Sequence, residues 1–369
     1  MRTLVFNCGS SSIKYALFDG DAASPLTSGQ QERLDSSDLA AYSAAVERIV
    51  SEIGPGRVDV AAHRIVHGGI HFTSPVLVDE VVEAELDALS DLAPLHNPAG
   101  VAGIRAARAA LPGLPQVAVF DTAFHSALPD HAYTYAIDRE LAEREGIRRF
   151  GFHGISYRYV SGEAARVVGR DAAELRMIVL HLGNGASAAA IDRGRSIDTS
   201  MGYTPLEGLV MGTRSGDLDP SILLLLQRRG LSVDQVDDLL NRRSGLLGLS
   251  GSSDMRDLVA AAESGEARAV LALEVYLHRL RHYIGAYAAE LGGIDLLVFT
   301  GGVGENSAGV RRRAVERLGF LGIAIDEPTD DRVQHGARVI SAEGAAVQVL
   351  VVPTNEERQI AREAELLLG

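Results

Sequence analysis

A short hairpin built around glycine occurs twice in this chain and constrains its fold more than any other feature. The clearer copy is an apolar strand at 177–182, a turn of Gly183, Asn184 and Gly185, and a second strand at 186–192. Two strands joined by a glycine turn that contains asparagine predict a β-hairpin. Because glycine lacks a Cβ, the backbone N–H groups of such a turn can approach an anion closely.

The second copy lies near the N-terminus. Residues 4–19 repeat the order of apolar strand, small polar turn and apolar strand. In this alignment Asn7 falls opposite His181, and Gly9 falls opposite Gly183. The two copies are offset by about half of the chain, and self-similarity at this spacing predicts two related halves. We expect each half to open with a phosphate-holding hairpin.

Length and composition limit the classes of function. A chain of 369 residues exceeds most single cores, so two domains are expected. The net charge of −14 argues against a general surface for nucleic acid or acidic membranes, because both need clustered cations. The single cysteine, Cys8, excludes an intramolecular disulfide and favours a reducing compartment. No apolar run approaches the ~18 residues of a spanning helix, so we expect a cytoplasmic protein.

Isolated arginines are informative in an acidic chain, because a site for anions needs local cations. Arg64 interrupts an otherwise apolar strand, and Arg214 lies in a glycine-rich segment. Asp121 follows a buried strand, where ligand sites of open α/β sheets usually lie. His153 lies in a loop between aromatic and glycine residues. The residues alone leave open a capping role for Asp121 and a structural role for His153.

Two local patterns predict further structure. An apolar strand at 294–300 leads into a glycine-rich turn and then a helix. This turn resembles a nucleotide-binding turn, but it has neither the Rossmann spacing nor the GK[ST] of a P-loop. In the second pattern, Asn97 and Pro98 predict the N-cap and first turn of a helix.

Taken together, the motifs resemble the acetokinase family, within the superfamily of acetate and sugar kinases, heat-shock-70 chaperones and actin. They occur in family order almost end to end: NCGSSSIKY, HRIVHGG, LHNP, FDTAFH, GIRRFGFHG, HLGNGAS, DTSMGYTPLEG, MGTRSGDLDP, SGLLGLSG, FTGGVGENS and PTNEE. The resemblance implies an α/β fold of the two-domain actin-like ATPase type, with a duplicated ribonuclease H-like core and the active site in the interdomain cleft. The implied domains are 1–125 plus 358–369, and 126–357.

The resemblance also implies a reaction, which is reversible phosphorylation of acetate by ATP to give acetyl phosphate and ADP. It implies a homodimer and Mg²⁺ as cofactor, with Mn²⁺ able to substitute. The implied metal ligands are Asn7 and Glu356, which offer the oxygen atoms that Mg²⁺ prefers. The implied catalytic residues are Asp121, Arg64, Arg214 and His153. Because acetate is already ionised near neutral pH, we expect Asp121 to orient an arginine or a water molecule and not to transfer a proton.

Further site residues follow from the same resemblance. Those implied to hold the phosphates are Lys14, Ser10, Ser12, His181, Leu182, Gly183, Asn184 and Gly185. Those implied to hold adenosine are Asp254, Met255, Arg256, Gly302, Val303, Gly304, Glu305 and Asn306. Those implied to contact acetate are Arg64, Val66, Leu95, His96, Phe152 and Pro205, of which Val66, Leu95, Phe152 and Pro205 would line a small methyl pocket.

The chain departs from the family pattern at several positions. Cys8 stands where alanine is usual, Tyr157 replaces a common histidine, and the loop at 249–254 is one residue shorter. The second departure bears on the transition-state environment, and the third on the contacts to adenosine. Two alternatives stay open, which are a propionate or butyrate kinase with the same chemistry and an actin-like or chaperone-like nucleotide-switch ATPase.

Overall fold

Two six-stranded sheets with the same strand order organise the described part of the chain. A computed structural model describes residues 1–9, 12–32, 34, 39–91, 93, 96–332 and 336–369. The residues divide into two compact units. The first unit contains Met1–Ser126, Phe152–Tyr159 and Asn355–Gly369, and the second contains Ala127–Gly151 and Val160–Thr354. This division places residues 152–159 and 355–357 in the first unit, unlike the predicted domain limits, which stay a prediction.

The sheet of the first unit has the order β3-β2-β1-β4-β6-β5 among its described residues. Its strands are β1 (Arg2–Cys8), β2 (Ser12–Asp19), β3 (Thr27–Glu32), β4 (Val60–Ile65), β5 (Val76–Leu77) and β6 (Gln116–Phe120). Strand β1 pairs antiparallel with β2 and parallel with β4, which in turn runs parallel to β6. The predicted N-terminal hairpin is therefore confirmed.

The sheet of the second unit has the order β11-β12-β10-β7-β8-β9 in the part of the chain that is described. Its strands are β7 (Arg176–Leu182), β8 (Ala186–Asp192), β9 (Arg195–Thr199), β10 (Leu296–Thr300), β11 (Arg338–Val339) and β12 (Gln348–Val351). When each strand number is lowered by six and the sheet is read from its other edge, the order is that of the first sheet. The parallel and antiparallel pairs are also the same. The internal repeat that the sequence predicts is confirmed.

Helices cover the sheets and fill the connections between strands. Those of the first unit are α1 (Leu39–Ile53), α2 (Glu80–Ala88), α3 (Asn97–Ala110) and α15 (Glu356–Leu368), and α6 (Gly154–Val168) begins there and continues in the second unit. The others belong to the second unit: α4 (Asp130–Tyr133), α5 (Arg139–Glu145), α7 (Ser221–Arg228), α8 (Val233–Arg242), α9 (Gly245–Ser250), α10 (Met255–Glu263), α11 (Ala267–Glu290), α12 (Gly301–Asn306), α13 (Ala308–Val315) and α14 (Glu327–Asp330).

The first strand shows why the sheets are buried on both faces. Successive side chains of a strand point to opposite faces. Leu4 and Phe6 accordingly join a cluster with α1 and α3, whereas Val5 joins a cluster with Ile360 of α15. All of these side chains are buried. An uninterrupted apolar run is what a strand covered on both faces requires.

Two local predictions are wrong in detail. The glycine-rich segment after β10 is the helix α12 and not a turn. The N-cap of α3 is His96, while Asn97 is the first residue inside that helix. No helix in the described ranges is long and apolar enough to span a bilayer.

Candidate active site

The first unit places Arg64 beside Asp121. Arg64 lies near the end of β4, and Asp121 directly follows β6, the parallel neighbour of β4. The Arg64 guanidinium donates from Nε to Asp121 Oδ1 over 3.2 Å and from Nη2 to Asp121 Oδ2 over 2.6 Å. Asp121 is 1% exposed, so the carboxylate of this forked pair is shielded from water. Both carboxylate oxygens are thereby occupied, which fits an orienting role for Asp121.

Two more oxygen-bearing side chains meet the remaining end of the guanidinium. Arg64 Nη1 donates to Asn7 Oδ1 over 3.3 Å and lies 3.7 Å from Glu356 Oε2. Burial opposes the charge of Arg64, but Asp121 and Glu356 together hold its pKa above the ordinary value. Burial also raises the pKa of Glu356 to about 7, although Arg64 acts in the opposite direction.

The residues predicted to hold Mg²⁺ fit a magnesium ion. Asn7 and Glu356 offer hard oxygen ligands, and both converge on the same guanidinium nitrogen. Mg²⁺ binds through one or two carboxylates and fills its other positions with water and substrate oxygens. Among the described residues no group of three or more His, Cys, Asp or Glu side chains forms a complete protein site for a metal.

The turn after β4 is fixed by side-chain hydrogen bonds. Asn97 Oδ1 accepts from the His67 backbone N–H over 3.0 Å, and Asn97 Nδ2 donates to the His67 carbonyl over 3.0 Å. The backbone N–H of Gly68 donates to Thr122 Oγ1 over 3.0 Å. Asn97 thus pins the segment that carries Arg64 and Val66, and this explains why it does not cap α3.

His153 is held next to Asp121 by backbone contacts. The backbone N–H of Gly154 donates to the Asp121 carbonyl over 2.9 Å. A Cβ at Gly154 would lie 2.0 Å from that carbonyl oxygen, so only glycine fits. His153 itself has a φ of 58°, a left-handed conformation that is uncommon outside glycine. Residues held in this way cluster at functional sites.

The residues predicted to contact acetate are divided between the units. Val66, His96 and Phe152 belong to the first unit, and Pro205 belongs to the second. Phe152 is buried and forms a T-shaped ring contact with His67 at a centroid distance of 5.5 Å. Leu95 lies outside the described residues.

The predicted phosphate contacts of the first unit lie on the N-terminal hairpin. Lys14 is exposed and pairs directly opposite Asn7 across β1 and β2. The Ser12 carbonyl accepts from the Gly9 backbone N–H over 2.8 Å. Ser10 lies outside the described residues. Its predicted phosphate contact stays a prediction.

Arg214 is the cation of the second unit. Its Nη1 donates to the Pro205 carbonyl over 3.2 Å and lies 3.8 Å from the Met211 sulfur. In the part of the chain that the structure describes, no carboxylate lies within ion-pair distance of Arg214. Burial lowers its pKa from the ordinary value. A partly desolvated guanidinium with most of its donors unused is a site for an anion.

A cavity of about 680 Å³ in the second unit brings together most of the nucleotide residues predicted in that unit. This volume is in the range of small-molecule pockets. The predicted residues that line it are Gly183, Asn184, Asp254, Met255, Arg256, Gly302, Val303 and Asn306. The lining combines glycines and apolar side chains with polar side chains, of which Asp254, Asn306 and Ser307 stand at helix ends.

Five residues of the second unit that were predicted to contact the nucleotide do not line this cavity: His181, Leu182, Gly185, Gly304 and Glu305. His181 is buried opposite Ser187 in the second hairpin. The Glu305 carboxylate accepts from the backbone N–H groups of Gly301 at 3.0 Å and Thr354 at 3.2 Å. Its contacts therefore fix the start of α12.

The cavity also has residues that the sequence interpretation missed. These are Gly212, Leu246, Ser253, Val259, Tyr276 and Ser307. Leu246 lies in the motif SGLLGLSG, and that motif could have indicated that Leu246 belongs to the site. Val259 and Tyr276 lie inside α10 and α11, where an apolar helical residue is indistinguishable from ordinary core.

The two sheets share one topology, each with a β-hairpin at its start, and so define an α/β protein of two related units. Residues 2–362 match the model of the acetokinase family. The acetate kinase of Leifsonia xyli subsp. xyli is 54% identical over 386 residues, which cover 98% of this chain and 97% of that protein.

Solved structures agree with this match. The acetate kinase of Porphyromonas gingivalis superposes with a TM-score of 0.93 at 41% identity, covering 100% of both chains. A propionate kinase from Francisella tularensis subsp. tularensis superposes with a TM-score of 0.91 at 39% identity, covering 98% of both chains. This chain belongs to the acetokinase family.

Proposed function

We propose that this chain catalyses the reversible transfer of the γ-phosphoryl group of ATP to acetate, giving acetyl phosphate and ADP. The observation that carries the proposal is Arg214, a partly buried cation whose only oxygen contact among the described residues is the Pro205 carbonyl. Such a group is stabilised when an anion arrives. The cavity of the second unit supports ATP as the donor, and family membership supports acetate as the acceptor.

The reaction needs alignment and charge neutralisation more than covalent catalysis by the protein. An acetate oxygen attacks the γ-phosphorus in line while the bond to the β,γ-bridging oxygen breaks, and ADP leaves with the electron pair. No proton is removed from the nucleophile, because a carboxylate of ordinary pKa is ionised near neutral pH. We assign Arg64 and Arg214 to the charge of the acetate and the transferred group, and His153 to donation to an equatorial oxygen.

Mg²⁺ is part of the proposal. Asn7 and Glu356 would hold it, and the bound ion would neutralise charge on the phosphate oxygens. In this arrangement Asp121 keeps the Arg64 guanidinium in one orientation through two hydrogen bonds. Asp121 is then a positioning residue for the reaction, with no proton to transfer. Asn184, Gly302 and the other cavity residues would bind the nucleotide.

Propionate is the second candidate for the acceptor. The propionate kinase from Francisella tularensis subsp. tularensis is as similar in fold as the acetate kinase relatives. One methylene in an apolar pocket changes specificity only about 10–200-fold. We therefore propose acetate as the preferred acid and propionate as a poorer substrate, with Val66, Leu95, Phe152 and Pro205 setting the pocket.

Formation of acyl phosphate tests the proposal. Wild-type protein with ATP, Mg²⁺ and acetate should yield a product that hydroxylamine traps as the hydroxamate. Replacing Arg214 with Ala should lower kcat by about 10²-fold or more, because a charge contact of the transition state is lost. Arg268 is an exposed arginine of α11, and Arg268→Ala is the matched control. Equal kcat values for Arg214→Ala and Arg268→Ala would refute the proposed contact of Arg214 with the transition state.

We also propose a homodimer. Helix α7 has no fully buried residue among those described, although its sequence SILLLLQR is mostly apolar. Leu224 is 52% exposed, and Val233 after the helix is 70% exposed. Covering such a surface with a second copy would contribute about 25 cal/mol for each Å² removed from water. A sedimentation mass near 39.2 kDa would contradict the dimer.

The proposed compartment is the cytoplasm. Cys8 is the single cysteine of the sequence, and it is buried within the first unit. Burial raises the pKa of its thiol to about 12, so it is not a reactive thiolate. A structure that depends on no disulfide is compatible with a reducing environment.

A further inference from the structure

The segment of residues 208–217, which we call the arginine loop, carries Arg214 and is closed at its base by Asp217. The Asp217 carboxylate Oδ1 accepts from the backbone N–H of Gly208 over 2.8 Å. The Asp217 backbone N–H donates to the Gly208 carbonyl over 3.0 Å. Next to this pair, Gly216 has a φ of 68°, and a Cβ there would lie 2.5 Å from the Gly208 carbonyl oxygen. The two ends of the loop are therefore locked together.

The same carboxylate joins the loop to helix α11. Its other oxygen, Oδ2, accepts from the Tyr283 hydroxyl over 2.8 Å and lies 3.6 Å from Arg279 Nη1. Burial and the nearby Asp217 charge raise the pKa of Tyr283, so the hydroxyl stays protonated and remains a donor. Helix α11 is 24 residues long and buries Leu280 and Ile284 on the same stretch, which makes it a rigid support.

The tip of the arginine loop has separate anchors on α8 and the residues after it. Thr213 Oγ1 donates to the Asn241 carbonyl over 2.9 Å, and the backbone N–H of Ser215 donates to the Leu240 carbonyl over 3.1 Å. The guanidinium of Arg214 has one weak oxygen contact of its own. The placement of its charge therefore depends on the loop backbone, which is fixed at the tip by α8 and at the base by Asp217.

We propose that Asp217 is a positioning residue that acts through Arg214, with Tyr283 and Arg279 as its support on α11. The inference rests on the proposed phosphoryl transfer, because its consequence is a misplaced charge on the reacting group. A displacement of about 1 Å in an active site can cost about 10²-fold in rate. Asp217 itself contacts neither the acid nor the nucleotide in the proposed reaction.

The decisive variant is Asp217→Asn, which keeps the shape of the side chain. The amide can still accept from the Gly208 N–H, but it removes the charge that faces Arg279 and puts a donor toward Tyr283. We expect kcat for acetyl phosphate formation to fall by about 10–100-fold, with the KM for ATP unchanged within about twofold. The matched control is Asp219→Asn, because Asp219 is exposed and caps the backbone N–H of Ser221 over 2.8 Å.

Repeating the substitution in protein that carries Arg214→Lys separates a positioning effect on Arg214 from a general loss of stability. If Asp217 acts through Arg214, Asp217→Asn should cost less than about threefold in protein that already carries Arg214→Lys. The same loss in both backgrounds, or wild-type kcat in Asp217→Asn, would overturn the inference. If Asp217→Asn does not fold, Tyr283→Phe removes one hydrogen bond and undergoes the same comparison. Should the wild type make no acyl phosphate, the proposed function fails together with this inference; an active wild type with an equally active Asp217→Asn refutes only the inference.

Discussion

The pair of Arg64 and Asp121 permits a sharp prediction for Asp121→Asn. The wild-type carboxylate receives two hydrogen bonds from one guanidinium, and its side chain is 1% exposed. An amide of the same shape can accept only one of them, and its NH₂ group then faces an N–H of Arg64. The remaining contacts of Arg64 are longer, at 3.3 Å to Asn7 and 3.7 Å to Glu356.

The size of the effect follows from the bond that is lost. A hydrogen bond to a charged group is worth about 1.5–3 kcal/mol. Since about 1.4 kcal/mol is a factor of ten in rate, kcat should fall by about 10–100-fold. The loss should fall on kcat more than on the KM for ATP, because Asp121 fixes the orientation of a group that serves the transition state.

The assay is hydroxamate formation from ATP and acetate, measured from about pH 6 to pH 9. An orienting role predicts that Asp121→Asn and wild type give kcat profiles of the same shape. Asp59→Asn is the control, because Asp59 forms an exposed pair with Arg2 at 3.1 Å that should matter little. Wild-type kcat in Asp121→Asn would refute the argument from the hydrogen bonds. A profile that loses one of its limbs would refute the orienting role in favour of proton transfer.

Three further predictions concern other parts of the chain. Burial lowers the pKa of His63 from 6.5 to about 4. Between these two pH values the unfolded chain binds a proton that the folded chain does not, so the free energy of unfolding decreases as the pH falls from 6.5 to about 4. The loss should be about 2 kcal/mol between pH 7 and pH 5, and urea unfolding of wild type and His63→Gln should show it only in the wild type. Asp330 forms a buried ion pair with Arg311 at 2.5 Å, so Asp330→Asn should cost about 3–5 kcal/mol, and a thermal midpoint equal to wild type would contradict this. Val66→Ala should narrow the preference for acetate over propionate by about tenfold in kcat/KM, and an unchanged ratio would exclude Val66 from the methyl pocket.

The repeated hairpin was predictable because its signal is local. A strand, a glycine turn and a second strand lie within about 20 residues, and two copies of one topology follow from two copies of one pattern. Asn7 pairs with Lys14, and His181 pairs with Ser187. Each of these pairs is the second from the turn, so Asn7 and His181 occupy equivalent positions in the two hairpins.

The helix α12 shows why a local pattern can mislead. Glycine disfavours a helix by about 1 kcal/mol for each residue, so the run GGVG predicts a turn. In the structure the Glu305 carboxylate accepts from the Gly301 N–H at the start of the helix. Arg311 Nη1 donates to the carbonyls of Gly304 and Glu305 at 2.8 and 3.0 Å near its end. Tertiary hydrogen bonds, which the local sequence does not reveal, stabilise this helix.

Contacts between residues that are far apart in the chain could not be predicted from local sequence patterns. The carboxylate of Asp217 and the hydroxyl of Tyr283 are 66 residues apart in the chain. Tyr276 joins the cavity wall from inside a long amphipathic helix. Neither Tyr276 nor Tyr283 has a neighbouring motif that marks it, so the roles of both depend on how α11 packs.

We propose above that this chain phosphorylates a small carboxylic acid with ATP and that acetate is the preferred acid. The most direct test is steady-state formation of acyl phosphate with acetate, propionate and butyrate in parallel, trapped with hydroxylamine. We expect the highest kcat/KM for acetate, with propionate poorer by about 10–200-fold. Hydrolysis of ATP with no acyl phosphate from any of the three acids would contradict it and favour a nucleotide-switch ATPase.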